Sequence, residues 1–329
     1  MHLKGLFAVF SMLIIIFESK TALQGTSEGL QLCLQTIIPS LFPFFVLSDV
    51  LNHYLIGRKV SFLRPICNHC GIPDGCESLF LLGLVAGYPI GAQLISQAYE
   101  ESAISKSTAH RMLGFCNNAG PAFIFGILPP FFSNIYYVWI IWGIQIFSAI
   151  LVGLLLPQKE VRGGDIRRVP PVSIVAALQK AIKNIAVVCG WVILFRMIIA
   201  FSEKWFLWRF SPVFKVIYFG LIELSNGIIQ LQYIPSEAIR FVFASVILAA
   251  GGLCVTLQTC SVTALLGTGY YFPGKILQAL LCILISIILQ NFMFAGTGCI
   301  SIPAIIYGIL TICILSVIYF LRKTVAIHK

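Results

Sequence analysis

The chain has 329 residues, of which 59% are hydrophobic and only 10% charged, far from the roughly 25% charged composition of a soluble domain. Its net charge of +10 does not mark a nucleic-acid binder, because the basic residues are scattered over short loops between apolar runs, where the positive-inside rule places them. At about 20 apolar residues per crossing there is room for about eight to ten membrane segments and for no sizeable soluble domain, so residues 1–329 read as one polytopic, all-α membrane domain in a lipid bilayer.

The first apolar run, Leu6 to Phe17, is preceded by Lys4 and followed by Glu18 and Lys20. No small-x-small cleavage site follows directly, so it reads as a retained helix rather than a secretory signal. A second run extends from Leu30 to Ile56, and the basic residues Arg58, Lys59 and Arg64 after it mark a cytoplasmic end. The next loop holds Cys67, His69, Cys70 and Cys76. Structural zinc sites use two separated knuckles, and a His between the two Cys of one knuckle is poorly placed, so the expectation is a Cys-rich loop without metal. The other eight cysteines sit in apolar runs, where Cys is a small hydrophobe.

From Ser78 to Ala98 the chain carries GLVAGYPIGAQL (Gly83 to Leu94), with helix-breaking residues inside an apolar segment. Runs from Arg111 to Phe132 and from Ile135 to Leu156 follow, the first interrupted at Asn117 to Pro121. The basic loop Lys159, Arg162, Arg167 and Arg168 comes next, then an apolar run from Ile174 to Phe201. A second interrupted segment, Phe214 to Ile234, carries GLIELSNGIIQL (Gly220 to Leu231). Runs from Ile239 to Leu257, broken at Ala249 to Gly252, from Ile276 to Ala295 and from Ile302 to Leu321 complete the chain before the basic tail of Arg322, Lys323 and Lys329.

If every segment crossed, the basic loops after Ile56 and Leu156 would lie on opposite faces. They share the cytoplasmic face if both interrupted segments are re-entrant hairpins, which leaves about eight crossings and two hairpins. The trio of helix, hairpin and helix then occurs twice with opposite orientation, an inverted repeat. At a constant offset Gly83, Leu84, Gln93 and Leu94 match Gly220, Leu221, Gln230 and Leu231. Paired interrupted segments point to a transporter's midplane binding site. Gly87, Tyr88, Pro89, Gln93, Asn117, Asn118, Ser225, Asn226 and Gln230 are therefore candidate substrate-binding residues, with capping of the broken helices as the other reading of the amides. Glu223, an acid inside the second hairpin, is the candidate site for a coupling proton or cation, against an internal ion pair with Lys183. Arg196 and Lys180 read as snorkelling side chains.

The stretches TIIPSLFPFFVLSDVL (Thr36 to Leu51), GLVAGYPIGAQL, RMLGFCNNAGPAFIFGI (Arg111 to Ile127) and LIELSNGI (Leu221 to Ile228), in this order, resemble the YlbJ family of sporulation integral membrane proteins, which carries a nucleoside-recognition or gate domain. The resemblance covers about Thr36 to Ser261, and the Cys-rich loop departs from the family pattern. It implies gate-like repeats over 36–131 and 174–261, a fold similar to concentrative nucleoside transporters, a place in a bacterial cell membrane such as the outer forespore membrane, and transport of dipicolinic acid. A dicarboxylate needs cationic partners, which makes Lys183 and Arg111 the candidate anion contacts. Similarity to nucleoside transporters also allows a homo-oligomer, although no helix face demands one.

No H-E-x-x-H, G-x-S-x-G or phosphate-binding loop occurs, so neither an enzyme nor a cofactor is expected. The competing readings are a transporter of nucleosides or another small molecule with the same fold, and a non-transporting membrane protein needed for spore assembly.

Overall fold

The computed structural model describes residues 2–157 and 173–294, together with Leu315. The run from Ile302 to Leu321, apart from Leu315, the basic loop from Lys159 to Arg168 and the basic tail lie outside the described residues. The described chain is all helical: α1 (His2–Phe17), α2 (Ser19–Leu32), α3 (Ile38–Leu55), α4 (Arg64–His69), α5 (Glu77–Val85), α6 (Ile90–Glu100), α7 (Lys106–Leu113), α8 (Pro121–Ile127), α9 (Ile135–Leu155), α10 (Ile174–Trp205), α11 (Pro212–Ile222), α12 (Leu224–Ile229), α13 (Glu237–Ala250), α14 (Gly252–Val262) and α15 (Tyr271–Met293). Serine sets several of the starts. Ser105, Ser173, Ser211 and Ser236 each turn a hydroxyl oxygen to the backbone N–H three residues on, which satisfies a donor the helix itself cannot.

Five helical stretches among the described residues are long and apolar enough to cross a membrane: Ser19–Leu55, Ile135–Leu155, Ile174–Trp205, Glu237–Val262 and Tyr271–Met293. The first differs from the expected run at Leu30, because α2 and α3 join through one π turn at Cys33–Ile37. Two glycines explain the longer helix. A Cβ on Gly25 or Gly29 would come within 2.8 or 2.9 Å of the backbone of Met197 or Ile193, so these residues let α2 lie directly on α10.

Basic side chains on α10 also have acidic partners. Arg196 is held by Glu28 and by Glu203 (2.9 Å), and Lys204 pairs with Glu18, while Lys180 pairs with the buried Asp49. The run expected from Arg111 to Phe132 resolves into the short helices α7 and α8 with seven non-helical residues, 114–120, between them. Helix α15 begins at Tyr271, earlier than the expected Ile276, and so carries Lys275 within it.

Candidate functional site

Two helix pairs fold back on themselves, α5 with α6 around Ala86 to Pro89, and α11 with α12 around Glu223. Glycine sets how closely each pair packs. A Cβ on Gly83 or Gly91 would overlap the Cys116 carbonyl, and one on Gly227 would overlap the backbone of Gly220. Gly87 has φ of +90° and lies against Gly120, a conformation that a side chain would strain. Each pair thus rests on the break in its own half: the Gly83 carbonyl accepts from Asn118 N at 3.2 Å, and Gly252 approaches the Gly220 carbonyl.

The tips also reach across to the other half. The Tyr88 hydroxyl donates to the Leu248 carbonyl at 3.1 Å, with the Ala249 carbonyl at 3.4 Å, just before the break at Gly251. Reciprocally, Glu223, Leu224 and Ser225 border a small pocket of ≈ 30 Å³ together with Ala119 and Gly120 of the first break. The Glu223 carboxylate accepts from Ser225 N (3.0 Å), Asn226 N (2.8 Å) and Asn226 Nδ2 (2.6 Å), so it caps α12. It makes no ion pair with Lys183 among the described residues.

Beside this pocket, and sharing Val188 and Gln258 with it, is a half-open cavity of ≈ 460 Å³. Its walls come from α6, α10 and α14, with Gln93, Gln97, Lys183, Asn184 and Gln258 among the polar lining residues. Asn184 Nδ2 donates to Gln93 Oε1 at 2.9 Å and links α6 to α10. Lys180 Nζ donates to Gln97 Oε1 at 2.8 Å as well as to Asp49, while Gln97 Nε2 donates to Glu101 at 2.9 Å. Lys183 has no hydrogen bond or ion pair among the described residues.

The candidates do not all converge. Pro89, Gln93 and Lys183 line the cavity, and Tyr88, Glu223 and Ser225 line the smaller pocket. Asn117 joins the first pair to α14, accepting from Ala92 N (3.3 Å) and donating to Thr259 Oγ1 (3.1 Å). Asn118 and Asn226 hold the break and the second tip, respectively, and Gln230 sits half-buried in the turn after α12. Arg111 is placed differently from the expectation: its guanidinium donates to the carbonyls of Pro157 (3.2 Å), Cys70 and Gly153, and it borders neither cavity. The physical reason is burial, since a cation away from water takes whatever acceptors surround it, and here these are helix-end carbonyls.

Over 156 residues the chain is 30% identical to the sporulation integral membrane protein YlbJ of Bacillus subtilis (strain 168). The chain is a relative of YlbJ. The shared stretch is 46% of this chain and 38% of YlbJ, so the chain matches well under two thirds of that protein's length. No family model matches the chain. No solved structure matches it either. With five membrane-length apolar helices among the described residues and YlbJ as a relative, the chain is an integral membrane protein.

The motifs that resemble the YlbJ family supply Tyr88, Asn117, Asn118 and Glu223, the residues at the tips and the breaks. Residues outside those motifs escaped the sequence reading: Gln97, Asn184 and Gln258 line the cavity, and Lys275 and Gln278 of α15, away from it, bond Tyr88 and Asn118. The available signal was the spacing of Lys275 and Gln278, which puts two polar groups on one face of an apolar helix. In the Cys-rich loop, Cys67, Cys70 and Cys76 are fully buried whereas His69 is exposed, its ring against the Pro65 carbonyl at 2.7 Å.

Proposed function

We propose that the chain is a membrane transporter of a small anionic solute, with dipicolinic acid as the substrate that the family resemblance implies. The observation that carries this reading is the ≈ 460 Å³ cavity bounded by α6, α10 and α14, where Lys183, without a partner among the described residues, stands beside the amides of Gln93, Asn184 and Gln258, with Lys180 and Glu100 also on the wall. Such a volume falls in the roughly 300–1,000 Å³ range of small-molecule sites. Gln93, Asn184 and Gln258 orient the ligand by hydrogen bonds, and Lys183 supplies the charge partner.

The two helix pairs act as re-entrant hairpins in an inverted repeat whose gate-like halves are 36–131 and 174–261. Their lengths support this. Helices α5, α6 and α11 have 9, 11 and 11 residues, respectively. At about 1.5 Å per residue they are roughly 14–17 Å long, half of a hydrocarbon core about 30 Å thick, so a pair can enter and leave on one side but cannot cross. The reciprocal contact of each tip with the opposite break lets movement of one hairpin be felt by the other half. Glu223 is the coupling group in this scheme, and the membrane in which it works is the bacterial cell membrane or outer forespore membrane.

Uptake of labelled dipicolinate and of uridine into proteoliposomes, with and without sodium or proton gradients, tests the reading. Saturable dipicolinate uptake that is lost on Gly87→Ala and Asn226→Ala is expected. Uridine uptake alone would move the assignment to nucleoside transport, and flux of neither would favour a spore-assembly role.

A further inference from the structure

Lys275 is 5% exposed, on the helix α15 that packs against α7, α9 and α13, and no acidic side chain pairs with it among the described residues. A charge at such depth is expensive unless its surroundings are built for it. Three oxygens surround its Nζ: Gln278 Oε1 at 2.7 Å, the Tyr88 hydroxyl at 2.9 Å and Asn118 Oδ1 at 3.4 Å.

The second bond of each group fixes which atom it turns to the lysine. Tyr88 donates its own proton to the Leu248 carbonyl, at 3.1 Å. Gln278 Nε2 donates to Asn118 Oδ1 at 2.8 Å, which leaves Gln278 Oε1 for Nζ. Asn118 Nδ2 donates to the Phe115 carbonyl at 2.8 Å, which turns its oxygen inward. All three therefore offer lone pairs. Three acceptors match the three N–H bonds of an ammonium, whereas a neutral amine has two.

A cage of neutral hydroxyl and amide oxygens at a helix break, without a carboxylate, is the chemistry that holds a small monovalent cation in a membrane protein. We infer that this junction is a monovalent-cation site whose permanent occupant is the chain's own Lys275 ammonium. It ties the first hairpin tip (Tyr88) and the first break (Asn118) to α15, and this centre needs no sodium or potassium ion to be assembled. The inference is independent of transport, because a chain that moved no solute would still hold the junction this way.

Thermal unfolding of the purified full-length protein in choline, lithium, sodium and potassium chloride at one ionic strength provides the test, with wild type, K275A, K275M and Y88F. The wild type should melt at the same temperature in all four salts. K275A vacates the cage and should melt several degrees lower in choline, with recovery in sodium or potassium chloride or in propylammonium chloride. K275M fills the space with an apolar chain and should melt lower in every salt, without recovery. Y88F keeps the lysine, removes one oxygen and should melt a few degrees lower by the same amount in each salt, which keeps the test open should K275A not fold. Saturable, sodium-selective stabilisation of the wild type would overturn the inference, as would a Y88F protein as stable as wild type or a folded K275A that no small cation restores.

Discussion

Replacing Lys183 by Gln removes one of the two lysines on the cavity wall, the one without an acidic partner among the described residues, and leaves a polar side chain in its place. Lys183 is exposed to the cavity and has no partner among the described residues, so the change breaks no described contact, and stability should stay within about 0.5 kcal/mol of wild type. A carboxylate about 4 Å from an ammonium gains roughly 1 kcal/mol in bulk water and roughly 4 kcal/mol at an effective dielectric of 20. A half-open cavity that admits water lies toward the first value, at roughly 1–2 kcal/mol for one substrate carboxylate. At about 1.4 kcal/mol per tenfold, the half-saturating dipicolinate concentration in proteoliposome uptake should rise roughly 5- to 30-fold, and K183R should recover most of it. Raising ionic strength should weaken wild-type binding more than K183Q binding, because the variant has lost one of the charge pairs that salt screens. A K183Q protein of unchanged melting temperature and unchanged half-saturation would show that no substrate charge meets this side chain.

Gly91→Ala forces a methyl group onto the Cys116 carbonyl, a backbone atom that cannot turn aside, so thermal unfolding should show a loss of about 1–3 kcal/mol or more. By contrast, Gly143→Ala and Gly190→Ala place the methyl in open space within α9 and α10 and should gain up to about 1 kcal/mol from helix propensity. Burial, with the Glu77 carboxylate adding to it, pushes the Cys67 and Cys76 thiols up to about 12 each, so maleimide should label them far more slowly in the native protein at pH 8 than in the denatured chain. Because the folded values are raised, the stability these thiols contribute is complete below the unfolded value of about 8.5 and declines as pH rises from there toward 12, which a pH series of melting temperatures will register. Arg111→Met strands three carbonyls and should lower stability by at least about 3 kcal/mol, while protein that survives purification keeps its half-saturation, since Arg111 lines neither cavity.

The membrane class and the positions of the interruptions were legible in the sequence because each rests on a local property. Gly, Pro and Asn break helices wherever they stand in an apolar run, and Gly83 and Gly220, aligned by offset alone, both meet the break of their own half. What the letters did not give was partnership. Arg111 and Lys183 look alike as lone cations in apolar surroundings, yet one braces three carbonyls and the other faces a cavity. Lys275 lies just before the apolar run that starts at Ile276 and was not singled out. Only the approach of Tyr88, Asn118 and Gln278 from distant parts of the chain makes it the centre of a network. Gly25 and Gly29 drew no reading from the sequence, and their role appears only when α10 lies against them.

Glu223 caps α12 and is the coupling group of the proposed transport scheme. Its carboxylate accepts from two backbone N–H groups and from the Asn226 amide, so its oxygens already face three donors. A proton arriving there turns one oxygen into a donor among donors, which weakens the cap on α12 by about 1 kcal/mol and loosens the tip of the second hairpin. In the proposed transport scheme, proton binding would thereby move the segment that borders the first break. Glu223→Gln carries the same conflict permanently, because its amide nitrogen meets the same donors. It should leave substrate exchange measurable while abolishing stimulation of uptake by an imposed proton gradient, whereas Glu223→Asp, with a shorter arm to the same N–H groups, should keep part of that stimulation. If the Gln variant responds to the gradient as strongly as wild type, Glu223 is a structural cap alone and the coupling proton binds elsewhere.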